Sequence, residues 1–254
     1  MPPVSAHDPD VVIHLLDEVA EAVAQRLREV DKRPLSGVRP GQYVVDLHAD
    51  AVVVDRLTDA GWGVLSEESG LHHPERPVTV VVDPLDGSTN ASRGVPWFAT
   101  ALCAVDGDGP WVAVVADHAT GRRYRAVRGR GATVDGVPIG PSGVQRLDEA
   151  IVALSGLPPR HLGWQQFRAF GAAALDLCLV AQGVVDAYLD CSVDAHGVWD
   201  YAASVLVCAE AGVPVVDAQG RDLVVLDPGA RRTPVAAATP ALLEAVVAAR
   251  RSFS

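Results

Sequence analysis

The run VVVDPLDGSTN (residues 80–90) sets two aspartates and two hydroxyls directly behind a stretch of valines. Val78, Thr79, Val80, Val81 and Val82 are β-branched and read as a strand buried on both faces. Asp83 and Asp86 then carry like charges three residues apart, on what the spacing predicts is a tight turn. Two carboxylates held close repel one another unless a proton or a cation lies between them. The pattern therefore calls for a metal. Hard divalent cations take oxygen ligands, and Mg²⁺ keeps several waters while binding a few carboxylates. Upstream, SEESG (66–70) supplies Glu67 at a strand end; downstream, GVWDYAAS (197–204) puts Asp200 at a helix start. Glu67, Asp83, Asp86, Asp200 and the Leu85 carbonyl would hold two adjacent ions, which clamp both oxygens of an in-line phosphoryl displacement. Gly87, Ser88 and Thr89 read as a glycine turn into a helix N-terminus whose N–H groups would cradle a phosphate. Taken singly, Asp200 is an ordinary helix-start charge and Glu67 and Glu68 a solvated loop. It is their conjunction that carries the signal.

The chain that must position these groups has 254 residues, 49% hydrophobic and 21% charged, ample for a large core. Asp and Glu number 32 against 21 Lys and Arg, a formal net charge of -11, which disfavours a nucleic-acid partner. Such a balance still admits a phosphorylated small molecule once cations fill an acidic cleft. Cys103, Cys178, Cys191 and Cys208 form no C-x-x-C pair, so neither a zinc site nor a disulfide framework is expected. No signal peptide and no membrane span is visible, which predicts a soluble, cytoplasmic protein.

Asp8 and Pro9 open a helix whose Val12, Leu15, Leu16, Val19, Val23 and Leu27 form one apolar stripe. A loop with Pro34, Gly37, Pro40 and Gly41 leads to a second helix expected over 46–60, then a short strand ending at Ser66. After the acidic motif, FATALCAVD, WVAVVADH, RRYRAV and GATVDG read as an antiparallel meander. From Ile151 the pattern alternates: strand AIVALSG, helix FRAFGAAALDLCLVAQG (167–183), strand VVDAYLD and helix WDYAASVLVCAEAG (199–212). Strands at VPVVDA and PVAAAT and a final helix PALLEAVVAARR complete it. The expectation is an α+β half over 1–143 carrying the metal-binding turn and an α/β half over 144–254, together one catalytic unit.

These motifs resemble the inositol monophosphatase family, within the lithium-sensitive, metal-dependent sugar phosphatases. The family's Asp-Pro-Leu/Ile-Asp-Gly-Thr/Ser-x-Asn turn is present over 83–90, and its Glu-Glu-Ser element is Glu67, Glu68 and Ser69. Trp-Asp-x-Ala-Ala with a later Glu-Ala-Gly appears at 199–203 and 210–212, and the Gly-x-Ala-Ala segment begins at Gly171. The resemblance implies a layered α-β-α-β-α sandwich of the sugar phosphatase type, mixing α+β and α/β organisation. It implies Mg²⁺-dependent hydrolysis of inositol 1-phosphate or a related phosphorylated polyol, with two or three ions per site. By position, Glu67, Asp83 and the Leu85 carbonyl correspond to ligands of a first ion, and Asp83, Asp86 and Asp200 to those of a second. Ser88 and Asp46 correspond to the pair that takes a proton from a metal-bound water, with Asp50 the less favoured partner. Asp86, Gly87, Ser88, Gly171, Ala173 and Asp190 correspond to substrate contacts, and the family's homodimer is implied by analogy.

The chain also departs from the pattern. Ser88 replaces the usual Thr, Ala91 stands where an aromatic is usual, and no lysine lies in the loop SGVRPGQYVVD. Asp190 occupies the place of the Glu of inositol-specific members, with a longer loop, CSVDAHGVW, before Asp200; either Asp190 or Asp194 could face the substrate. The Ser in the turn and the DAYLD ending resemble archaeal-type members that also take fructose 1,6-bisphosphate. Fructose-1,6-bisphosphatase, histidinol-phosphatase and 3'(2'),5'-bisphosphate nucleotidase activities are the alternatives. A non-catalytic regulatory homologue is disfavoured because every expected ligand retains an oxygen donor. His196 reads as a loop side chain, and Arg122, Arg123, Arg125, Arg128 and Arg130 as an exposed meander edge in preference to a phosphate-steering patch.

Overall fold

The structure, a computed structural model, describes residues 8–253. Helix α1 (Pro9–Glu29) starts where Asp8 Oδ1 accepts the Asp10 N–H at 3.0 Å and Pro9 takes the first helical position. Helix α2 (Val44–Asp59) begins two residues before the expected start. Asp46 thereby falls in its first turn, and its Oδ2 accepts the Tyr43 N–H at 2.8 Å. The catalytic candidate is thus held by a helix-capping bond.

The first sheet follows. It contains β1 (Gly63–Ser66), β2 (Gly70–His72), β3 (Thr79–Asp86) and β4 (Ala99–Asp106). It continues through β5 (Gly109–Asp117), β6 (Arg123–Val127), β7 (Gly131–Val134) and β8 (Val137–Pro138), in the order β2-β1-β3-β4-β5-β6-β7-β8. Only β1 and β3 run parallel; every other pair is antiparallel. Helix α3 (Ser88–Arg93) leaves the end of β3. The second sheet has the order β10-β9-β11-β13-β12, from β9 (Ile151–Ser155), β10 (Gln166–Arg168), β11 (Ala187–Asp190), β12 (Val215–Asp217) and β13 (Pro234–Ala237). Helices α4 (Ala173–Ala181), α5 (Ala202–Glu210) and α6 (Pro240–Arg251) complete the fold.

Three apolar clusters show why these elements stack. Val80 and Val82 of β3 face Leu16 and Val23 of α1 and Val53 of α2. Val81, between them, joins the cluster of α4 and α5 with Leu177, Val207 and Tyr188. Beyond the second sheet, Val152, Leu189 and Val235 pack on Leu242 and Val246 of α6. The layers run helix, sheet, helix, sheet, helix. All nine residues of α4 are buried, as a helix clamped between two sheets must be.

Two expected elements need correction. The helix predicted over 167–183 starts only at Ala173; Gln166–Arg168 is instead an edge strand parallel to β9. Gly171 has φ +89°, and the Asn90 amide claims the Phe170 carbonyl at 2.8 Å, so the chain cannot be helical there. Likewise Trp199 and Asp200 lie in a 3₁₀ turn, Val198–Asp200, ahead of α5. The arginines of the meander are turned to other work. Arg123, Arg125, Arg128 and Arg130 pair with Glu21, Asp17, Asp106 and Asp10, three of these tying the sheet to α1.

Candidate active site

β3 does not turn at its aspartates. It pairs Asp83 with Ala101 and Asp86 with Ala99 of β4, so three steps on one strand match two on the other. The extra residue is a β-bulge, in which Pro84 and Leu85 have no partner residue on β4. The Thr100 hydroxyl takes up the Pro84 carbonyl at 2.8 Å and lies 2.7 Å from His118 Nε2. The bulge brings both carboxylates to one edge. Asp83 Oδ1 accepts the Leu85 N–H at 2.9 Å, and Asp86 Oδ2 accepts the Ala174 N–H of α4 at 2.7 Å. Gly87 follows with φ +81°, where an added Cβ would sit 2.9 Å from the Trp97 carbonyl and 3.1 Å from Ala172. Only glycine fits that close approach.

β1 ends beside β3, and the Glu67 N–H reaches the Val82 carbonyl at 3.2 Å. Asp200 arrives from the other sheet's side, its Oδ2 accepting the Gly197 N–H at 2.7 Å. One carboxylate oxygen each from Glu67, Asp83 and Asp200 lie within 4.8 Å of one another. Burial, then Glu67, Asp86 and Asp200, push the Asp83 carboxyl well above its ordinary value. Burial and then Asp200 raise Glu67 to about 8, and the same pair of causes raises Asp86 to about 7. Burial raises Asp200 as well, against the nearby His196. Such a cluster is stable at neutral pH only with bound protons or a cation, and an all-oxygen donor set fits a hard divalent ion.

Beside it, Asp46 is buried; its Oδ1 makes no hydrogen bond. Burial lifts its carboxyl to about 6, while the Tyr43 N–H and the Ser88 hydroxyl draw it down. Asp50 is differently employed, accepting the hydroxyls of Ser66 at 2.5 Å and Ser69 at 3.1 Å. Glu68 is bonded by Arg39 and Gln42 of the 31–43 loop, and its charge adds to the rise of Glu67 and Asp46.

A cavity of about 140 Å³ opens against Asp86 and Asp200 and is lined also by Gly171, Ala173, Asp176 and His196. Asp190 does not reach it. Its side chain is fully buried, with Oδ1 accepting the Ser192 N–H at 2.9 Å and Oδ2 the His196 Nδ1–H at 2.8 Å. The longer loop after β11 folds His196 back over Asp190, so the ring, expected as a loop side chain, faces the cavity in its place. Asp194 is held 2.5 Å from Arg221 and is absent from the lining. Sequence reading also missed Thr100, which seals the bulge, and the buried Asp176, which accepts the Trp97 indole N–H at 2.8 Å. Apolar neighbours hid both. A roomier cavity of about 520 Å³ lies against Arg33, Tyr43 and Arg93 and has none of these carboxylates.

Comparison with known proteins gives the fold and the family. The fold matches a Pyrococcus horikoshii protein with similarities to inositol-1 monophosphatase, with TM-score 0.86, 24% identity, and 95% and 99% of the two chains covered. It also matches Mycobacterium tuberculosis SuhB, with TM-score 0.75, 29% identity and 98% of each chain. In sequence the chain is similar to fructose-1,6-bisphosphatase of Pyrococcus furiosus, 32% identical over 186 residues and 71% of each chain. The fructose-1,6-bisphosphatase/inositol-1-monophosphatase of Methanocaldococcus jannaschii is 28% identical over 226 residues, 82% of this chain and 88% of that one. The Nus factor SuhB of Escherichia coli is 34% identical over 194 residues, 69% and 71% of the two. The model of the inositol monophosphatase family matches residues 6–253, nearly the whole sequence, including the bulged acidic strand and the Trp-Asp turn that meet in space. The chain belongs to the inositol monophosphatase family.

Proposed function

We propose that the protein is a Mg²⁺-dependent phosphomonoesterase acting on inositol 1-phosphate or a related small phosphorylated polyol. The observation that carries this reading is the meeting of Glu67, Asp83 and Asp200 oxygens within 4.8 Å. Glu67, Asp83, Asp86, Asp200 and the Leu85 carbonyl would hold two ions, with a third on Glu67. Bound ions would offset the charge on the phosphoryl oxygens and make water nucleophilic at neutral pH. Ser88 orients the attacking water and passes its proton towards Asp46, whose carboxyl at about 6 is matched to that task. N–H groups of Gly87 and Ser88 steady the phosphate, and Gly171 and Ala173 border the carbon skeleton. No covalent phosphoenzyme is needed. The names of the Pyrococcus and Methanocaldococcus relatives support fructose 1,6-bisphosphate as a further substrate.

A second reading, a non-catalytic factor, is favoured by the name of the Escherichia coli relative. The intact donor set and the Ser88–Asp46 pair weigh against it. Phosphate release from a panel of phosphomonoesters, with Mg²⁺ and with chelator, separates the two. Release that requires Mg²⁺ supports the enzyme; no release from any ester in saturating Mg²⁺ would leave the second reading standing.

A further inference from the structure

The wall of the cavity formed by His196 is built with care. Arg250 of α6 donates from Nε to the Asp190 carbonyl at 2.6 Å and from Nη2 to the Ser192 carbonyl at 3.1 Å. On the other flank, His196 and Arg232 exchange backbone hydrogen bonds of 2.9 and 3.3 Å. The imidazole is therefore fixed at its backbone and at Nδ1, which donates to Asp190. Asp190 is shut away from solvent, and His196 is the basic ring bonded to it. The surrounding groups agree. Although burial disfavours the cation, the Asp190 carboxylate bonded to Nδ1 favours it. An imidazolium donates from both nitrogens. Nδ1 is occupied, and among the described residues the hydrogen-bond partner of Nε2 is the Tyr188 hydroxyl, at 3.5 Å. Arg231 stacks 5.0 Å from the Trp199 ring centre, and its charge is felt at Asp200.

We propose that His196, positioned by Asp190, makes this wall a cationic hydrogen-bond donor that selects phosphomonoesters whose carbon skeleton bears a second anionic group. The inference rests on the phosphomonoesterase reading above. A carboxylate wall, as expected of Asp190, would accept bonds from the hydroxyls of a neutral ring. A donor wall instead meets a carboxylate or second phosphate with a charge-assisted bond, roughly twice as strong as a neutral one. His196 is the contact residue, and Asp190 acts through it.

The test uses matched substrates in Mg²⁺: 2-phosphoglycerate against glycerol 2-phosphate, and fructose 1,6-bisphosphate against fructose 1-phosphate. The wild type should favour the more anionic member of each pair by about tenfold or more in kcat/KM. His196→Gln should bring both ratios within about twofold, chiefly by raising KM for the anionic member. Asp190→Asn should lower them too, and His196→Lys should keep part of the preference. Equal use of both members by the wild type, or an unchanged ratio in His196→Gln, would overturn the proposal. Should the variants fail to fold, ¹⁵N NMR of the wild-type ring decides: both nitrogens protonated at pH 7 support it, and a neutral ring overturns it. p-Nitrophenyl phosphate separates the levels of failure. Hydrolysis of it without an anionic preference removes this inference alone, whereas no hydrolysis of it or of any member of the two pairs removes the phosphomonoesterase reading and this inference together.

Discussion

Two sides of one cavity are built on opposite electrostatic plans. At the β3 edge, Glu67, Asp83, Asp86 and Asp200 crowd together; burial raises the pKa values of all four, and the Asp200 charge adds to the rise of the other three. At the end of β11, Asp190 meets His196 at 2.8 Å, an acid and a base bonded to one another. The first side is incomplete without an ion or protons; the second is complete as folded. A site of this kind gathers its reactive power where the protein leaves charge unbalanced, and takes its selectivity from groups the protein has already locked.

The sharpest way to break this comparison is to remove a carboxylate from the unbalanced side. Asp83→Asn or Asp200→Asn should lower kcat/KM by about 10³-fold or more if each is a ligand of the proposed ion site. Turnover like that of wild type by Asp83→Asn in saturating Mg²⁺ would end the ligand assignment. Ser88→Ala should cost about 10²-fold in kcat with little change in KM, since an orienting hydroxyl works mainly in the transition state. Ser88→Thr should stay active. A kcat for Ser88→Ala equal to wild type would take Ser88 out of the chemistry.

Stability against pH sharpens the contrast without any assay of activity. Glu67, from an ordinary 4.5 to about 8, and Asp86, from 3.8 to about 7, have folded-state values above their unfolded ones. The metal-free folded protein thus binds more protons than the unfolded chain between those values. Its stability is full below about pH 4 for these groups and falls as pH rises through 7 and 8. Chelated protein should lose roughly 5–10 °C in Tm between pH 5 and 8, and Mg²⁺ should restore most at the upper end. A Tm independent of both pH and Mg²⁺ would contradict an unbalanced cluster. The smallest effect belongs to the support beneath it. Thr100→Val leaves the buried Pro84 carbonyl unpaired and should cost about 1–3 kcal/mol in chemical denaturation, with weaker Mg²⁺ binding. Loss of neither would show that the bulge holds itself.

The acidic side was legible in the sequence because its determinants are local. β-Branched Val80–Val82 demand a buried strand, Gly87 a positive φ, and Asp8-Pro9 a helix start; each is read within a few residues. Even so, the bulge was hidden, since it exists only against β4, where Thr100 supplies the missing donor. The second side was less legible. Asp190 stands at a strand end, but whether it faces substrate depends on how the 191–197 loop closes. That closure is decided by Arg232 and Arg250, 36 and 60 residues from His196 and Asp190. The 167–172 segment failed for the same reason: its apolar residues suit a helix, and Asn90, some 80 residues earlier, holds its carbonyls out of one.

The central claim is that the β3 edge is a divalent-cation centre, and calorimetric titration of chelator-stripped protein with Mg²⁺ at pH 7.5 tests it most directly. Saturable binding of at least two ions by the wild type, reduced by one or more in Asp83→Asn and in Asp200→Asn, is the predicted result. No saturable binding, or binding that both substitutions leave intact, would contradict it.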